Sequence, residues 1–184
     1  MEEISGFDIQ ELNLLNDIPD MLFGDNLLSY IRRNIGGQIL LPYEEKLLSK
    51  MDRMTAQLKS TDIVVIAFPM YNCSIPSIVK AWFDSVMQKT VMFGKAIDDH
   101  RIISNVGKKA LTLVTCGSVY SNGSFPCWEH TILLSNIEFQ YMGYSDVRGI
   151  LSEGMAMDEA IKQTNLNKAI RQVRAIAREW YKKR

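Results

Sequence analysis

The stretch Asp62-Ile63-Val64-Val65-Ile66-Ala67-Phe68-Pro69-Met70-Tyr71-Asn72-Cys73-Ser74-Ile75-Pro76-Ser77 decides the fold. It opens with a continuous β-branched run, the signature of a strand covered on both faces. A proline-bounded loop follows, and Ile78, Trp82, Phe83 and Val86 then recur at helical spacing over Ser77 to Lys89. A buried strand passing through a short loop into a helix is the first half of a βαβ unit, which needs a parallel neighbour.

The flanking sequence supplies those neighbours. Upstream, Pro42 opens a helix whose apolar positions are Leu47, Leu48, Met51, Met54 and Leu58. Downstream, Lys109 to Thr115 reads as a strand, Trp128 to Met142 as a helix ended by Gly143, and Val147 to Leu151 as a strand. Glu159 to Tyr181 is a long last helix, its inner face carrying Ile161, Ala169, Ile170, Val173, Ile176 and Trp180. Near the start, Phe7 to Leu12 reads as a short strand. Between 20 and 41, Leu27, Leu28, Ile31 and Ile35 have helical spacing that Gly36-Gly37 ends. No linker or repeat divides the chain, so residues 1–184 read as a single α/β domain with a parallel sheet between helical layers.

Composition narrows the function classes. The chain has 184 residues, and its 21 basic side chains balance 21 acidic ones. A zero net charge gives no basic field for nucleic acid or an acidic membrane. No apolar run reaches the ~18 residues of a membrane span. The N-terminus lacks the apolar core of a signal peptide. Cys73, Cys116 and Cys127 form no Cys-x-x-Cys pair, and their odd number argues for a reducing, cytoplasmic compartment. His100 and His130 have no metal-ligand spacing around them, and Asp98-Asp99 reads as a solvated turn, so no metal is expected.

In open parallel sheets ligands bind beyond the carboxyl ends of the strands. Two loops lie there. The first, Pro69 to Pro76, is stiffened by its two prolines and offers backbone amides to the polar edge of a planar heterocycle. The second, Thr115-Cys116-Gly117-Ser118-Val119-Tyr120-Ser121-Asn122-Gly123, is small enough for backbone to approach a ligand and carries a flat phenol. Taken alone, each has a plainer reading. The first is a strand-to-helix turn with Asn72 as a local cap, and the second a surface loop with one amphipathic tyrosine.

The wider pattern sets the plainer readings aside. Ile66 through Asp84, with Pro69-Met70-Tyr71-Asn72 and then Lys80-Ala81-Trp82-Phe83-Asp84, resembles the ring-binding loop and helix of FMN-dependent NADH-azoreductases and NAD(P)H quinone reductases. Val91-Met92-Phe93 is similar to that family's Val-Thr-Phe. Met142-Gly143-Tyr144-Ser145-Asp146-Val147 and Ser152-Glu153-Gly154-Met155 are similar to its last helix–strand junction. The similarity runs from about Phe7 to the C-terminus and is densest over 62–94 and 110–157.

The resemblance implies a flavodoxin-like three-layer sandwich that binds FMN. Pro69, Met70, Tyr71, Asn72 and Cys73 would wrap the flavin ring. Thr115, Cys116, Gly117, Ser118 and Tyr120 would line its other edge. Asn72 and Tyr120 are the implied catalytic residues, with Phe93 and Tyr120 contacting the second substrate. The implied reaction is ping-pong, from NADH or NADPH to a quinone or azo compound, in a homodimer. Cys116-Gly117-Ser118 departs from the family's Arg-Gly-Gly, which bears on substrate preference and cofactor grip.

The family's first, central strand and its Ser-rich phosphate loop have no counterpart in this sequence. Phe7 to Leu12 aligns with the family's second strand instead. The expectation is that the natural protein begins further upstream. Two competing readings keep the fold: an electron-transfer flavodoxin, which the neutral charge disfavours, and a cofactor-free dimerisation module.

Overall fold

Residues 7–89, 105–121 and 126–181 are described by the structure, a computed structural model. Phe93, the rest of Val91-Met92-Phe93, Asp98-Asp99, His100 and Asn122-Gly123 lie outside them.

The β-branched run forms β1 (Ile63–Pro69), which pairs in parallel with β2 (Lys109–Thr115). β2 pairs in parallel with β3 (Asp146–Ser152), and the sheet order is β1-β2-β3. Side chains alternate across β2, as strand geometry demands. Ala110 and Val114 join a core with Met54, Leu58, Trp82, Phe83 and Phe139. Leu111, with Leu113 against it, joins a second core with Ile150 and Ala169 on the opposite face.

Helices supply the outer layers. α1 (Gly24–Asn34) and α2 (Pro42–Ser60) precede the sheet, α3 (Ser77–Val86) follows β1, and α4 (Thr131–Tyr141) precedes β3. α5 (Glu159–Trp180) covers the far face, with Val173, Ile176 and Trp180 against Leu111 and Ile150. Gly143, at φ 87°, ends α4 in the left-handed conformation that glycine permits. Gly149 lets α4 sit close on β3, because a Cβ there would meet Ile132 Cγ2 at 2.5 Å.

The structure corrects three expectations. Phe7 to Leu12 forms no strand. In the order 2-1-3-4-5 the second strand pairs only with the central first one, and no such strand occurs among the described residues. Leu12 and Leu14 pack on the core instead, leaving a cavity of about 550 Å³ between residues 10–15 and β1. Nor is β1 covered on both faces: Val65 is 56% exposed, because α5 reaches β2 and β3 but leaves β1 open. Ile170 is 39% exposed and lies off the inner face of α5. α1 forms where the spacing of Leu27, Leu28 and Ile31 reads as helix and ends before Gly36-Gly37. Ser29 and Asn34 are buried there, while Leu28, Ile31 and Ile35 face out.

Candidate functional site

Because all strands are parallel, the loops after β1, β2 and β3 meet at one sheet edge, and backbone hydrogen bonds lace them together. The Met70 N–H donates to Thr115 O at 2.8 Å, and the Cys116 N–H to Ser152 O at 3.0 Å. Returning from the third loop, the N–H groups of Gly154, Met155 and Ala156 donate to the carbonyls of Ser118, Cys116 and Gly117 at 2.9–3.2 Å. The His130 N–H reaches Cys73 O at 3.1 Å, tying the first loop to the approach of α4.

The first loop is a tight hairpin. Tyr71 and Ser74 exchange both N–H···O bonds at 3.0 Å, with Asn72 at φ 48° and Cys73 at φ 65° between them. Two successive positive φ values at the centre are the pattern of a type I′ turn, which favours Asn first and Gly second. Cysteine in the second place stores local strain. Asn72 is not a local cap. Its side chain makes no hydrogen bond among the described residues and stands exposed. Tyr71 is 59% exposed, Pro69 exposed and Met70 half-buried.

The second loop starts at the exposed Thr115 and turns inward at Cys116, which is buried and donates its S–H to Ser118 O at 3.3 Å. Burial pushes this thiol up to about 11, with the negative charges of Glu153 and Glu129 adding to the effect. Gly117 and Ser118 are exposed. Tyr120 is half-buried, and its side chain stands beside Ser118 and Cys73 of the first loop. Desolvation and the neighbouring Cys73 and Cys116 raise its phenol above the usual value, so it stays protonated at neutral pH.

Among the described residues, the N–H groups of Asn72, Cys73, Gly117 and Ser118 donate to no protein acceptor. The sequence-expected residues Pro69–Cys73, Thr115–Ser118 and Tyr120 therefore meet at one edge, with unused donors on both loops. Phe93 lies outside the described residues. Sequence reasoning assigned no role to Glu153, whose carboxylate accepts the N–H groups of Tyr120 and Ser121 at 2.6 and 2.8 Å.

The family profile of the flavodoxin-like fold matches residues 2–177. FMN-dependent NADH:quinone oxidoreductase 1 of Idiomarina loihiensis is 30% identical over 166 residues, covering 90% of this chain and 87% of that relative. The chain belongs to the flavodoxin-like family of FMN-dependent NADH:quinone oxidoreductases. Solved azoreductases share its fold. The FMN-dependent NADH-azoreductase of Bacillus anthracis str. Ames Ancestor, in complex with FMN, aligns at TM-score 0.74 and 23% identity over 90% of this chain and 79% of its own. The azoreductase of Bacillus anthracis str. Sterne aligns at TM-score 0.79 and 20% identity over 92% and 81%.

The flavodoxin-like site fits the two halves of FMN unequally. The free amides and Asn72 match the acceptors along one edge of an isoalloxazine ring. A phosphate seeks the amides of a helix N-terminus. α3, which starts directly after the first loop, has no side-chain cap, whereas three other termini carry their own carboxylates. Glu44 accepts the Leu41 N–H at the start of α2, Glu129 the Thr131 and Ile132 N–H groups of α4, and Asp158 the Ile161 N–H of α5. Among the described residues there is also no group of His, Cys, Asp or Glu able to hold a metal ion, and no helix long and apolar enough to cross a membrane.

Proposed function

We propose that this chain is an FMN-dependent oxidoreductase that passes electrons from NADH or NADPH to a quinone or azo compound. The observation that carries the reading is the pair of rigid loops at the sheet edge, with free amides at Asn72, Cys73, Gly117 and Ser118. FMN, when bound, supplies the hydride and electron chemistry, the two substrates using one ring face in turn. The residues do the rest. Pro69, Met70, Tyr71, Asn72 and Cys73 hold one ring edge, and the amides with the Asn72 side chain stabilise charge that develops there. Thr115, Cys116, Gly117 and Ser118 hold the other edge. Tyr120 closes over the ring and, with Phe93, meets the second substrate.

A homodimer is part of this reading. α4 presents Leu133 and Ile137, 60% and 50% exposed, one turn apart and next to the segment that bonds Cys73. Contact between two such faces would place the site at a subunit boundary. The three free cysteines fit a cytoplasmic location.

The deciding experiment is the visible absorption spectrum of the purified chain, followed by FMN titration and NADH oxidation with menadione. Flavin bound near one per chain, with FMN-stimulated turnover, supports the proposal. No flavin uptake and no stimulation overturn it. They would leave the cofactor-free dimerisation module.

A further inference from the structure

The second loop is held in two halves by different means. Its first half, Cys116 to Ser118, is fixed through the carbonyls bonded to residues 154–156. Its second half, Val119 to Ser121, has no backbone–backbone bond among the described residues. What holds it is one side chain. The Glu153 carboxylate accepts the Tyr120 N–H at 2.6 Å, the Ser121 N–H at 2.8 Å and the Ser121 hydroxyl at 2.5 Å. Charge-assisted bonds of this kind are about twice as strong as neutral ones.

The anchor is itself braced. Glu153 follows the buried Ser152, and its carbonyl accepts Asn165 Nδ2 of α5 at 2.9 Å. Gly154 turns the chain at φ 72° against Asn165 and Ile161. On the other side of the clamp, the Tyr120 side chain stands beside Cys73 of the first loop. A continuous path therefore runs from α5 through Glu153 and Tyr120 to the strained hairpin.

We propose that Glu153 is a positioning residue of the ring site: its carboxylate sets where Tyr120 stands, and through Tyr120 the width between the two loops. The inference rests on the flavin reading for its functional consequence, while the loop clamp stands on geometry alone. Burial opposes ionisation of Glu153, but the Ser121 hydroxyl, the Tyr120 and Ser121 amides and Lys168 of α5 together hold its carboxyl below the usual range. The other titratable neighbour is the neutral Cys116 thiol. At neutral pH the clamp is charged and closed.

The test uses Glu153→Ala, Glu153→Gln, Tyr120→Ala and the double variant Glu153→Ala/Tyr120→Ala in the full chain. FMN affinity is read by flavin fluorescence, and alkylation of Cys116 by peptide mass spectrometry. Glu153→Ala should weaken FMN roughly tenfold, the low end for losing a bond to a charged group, and should speed Cys116 alkylation by a similar factor. Glu153→Gln, which keeps one acceptor oxygen, should fall between. The decisive outcome is non-additivity: in the Tyr120→Ala background, Glu153→Ala should change FMN affinity by less than about twofold. A merely structural role would give the same loss with or without Tyr120, and that result overturns the proposal. Wild-type alkylation kinetics in Glu153→Ala would overturn it as well. Should the wild type take up no flavin, the function reading fails separately, and the alkylation rates alone decide whether the clamp exists.

Discussion

Gly149 offers a strict test of how α4 is seated. A Cβ added there lies 2.5 Å from Ile132 Cγ2 and 2.9 Å from Ile132 Cδ1. Carbon atoms in contact prefer about 3.5–4.0 Å, so both methyls must give way. Ile132 is β-branched and helical, with one strongly preferred χ1 well, and cannot simply swing aside. Overpacking of this kind costs about 1–3 kcal/mol, while removing a strand glycine returns about 0.5–1 kcal/mol. Gly149→Ala should therefore be destabilised by about 1–2 kcal/mol, a fall of roughly 2–8 °C in Tm for a domain of this size. Ile132→Ala deletes the two clashing methyls and leaves Cβ at 3.4 Å, an ordinary contact. Since Ile132 is half-buried, its truncation alone should cost about 1–2 kcal/mol, below the range for full burial. The two changes remove and create the same contact, so the double variant should lose at least about 1 kcal/mol less than the sum. Urea unfolding of the four proteins at constant m-value measures the cycle. Additive effects, or a Gly149→Ala protein as stable as the wild type, would show that α4 does not rest on β3 here.

Other expectations are briefer. Tyr144 is 4% exposed with its hydroxyl unbonded among the described residues, so Tyr144→Phe should raise stability by about 1 kcal/mol, read by urea unfolding. Cys116, with its folded thiol near 11 against an ordinary 9.0, stabilises the fold below about pH 9 and loses that contribution between pH 9 and 11. Iodoacetamide at pH 8 should accordingly label the exposed Cys127 and spare Cys116. Asp146 is held below its usual range by Arg148, against burial and with help from Trp180. Its stabilisation is thus present above about pH 4 and lost on further acidification, a step that Asp146→Asn should abolish at a cost of about 1 kcal/mol. Finally, since α2, α4 and α5 are capped by their own carboxylates, riboflavin and FMN should bind this chain within about threefold of each other in a fluorescence titration. A far larger preference for FMN would refute this and place the phosphate at the uncapped start of α3.

The parts legible in the sequence are those set by local pattern. The Lys109–Thr115 strand stands at its expected bounds because alternating burial on two faces left one apolar reading. The strand after Asp62 is shifted by one residue. α4 begins three residues later than its apolar spacing suggests, because Pro126–Trp128 forms a 3₁₀ turn and Glu129 caps the amides of Thr131 and Ile132. What failed was everything that depends on a distant partner. Phe7 to Leu12 has a strand's composition, yet a strand exists only where a neighbour completes its ladder. β1 reads as doubly buried because its residues suit burial, and Val65 is exposed because α5 falls short of it.

The site divides along the same line. Its first loop was recognisable from Pro69-Met70-Tyr71-Asn72, but not its shape, since Asn-Cys lacks the glycine that announces a type I′ hairpin. Glu153 was invisible for a stronger reason. Its three bonds reach residues more than 30 positions earlier, and nothing near Glu153 in sequence hints at Tyr120 or Ser121. A carboxylate three residues from a helix start can be read as a cap because both partners are local. A carboxylate that serves a loop on another strand becomes meaningful only when parallel pairing brings the ends of β2 and β3 side by side, Thr115 opposite Ser152. The sheet register thus does more than hold the fold. By fixing which residues follow Thr115 and Ser152 at the same height, it creates the only geometry in which Glu153 and Tyr120 can meet, and a one-residue slip would turn Glu153 to the opposite face.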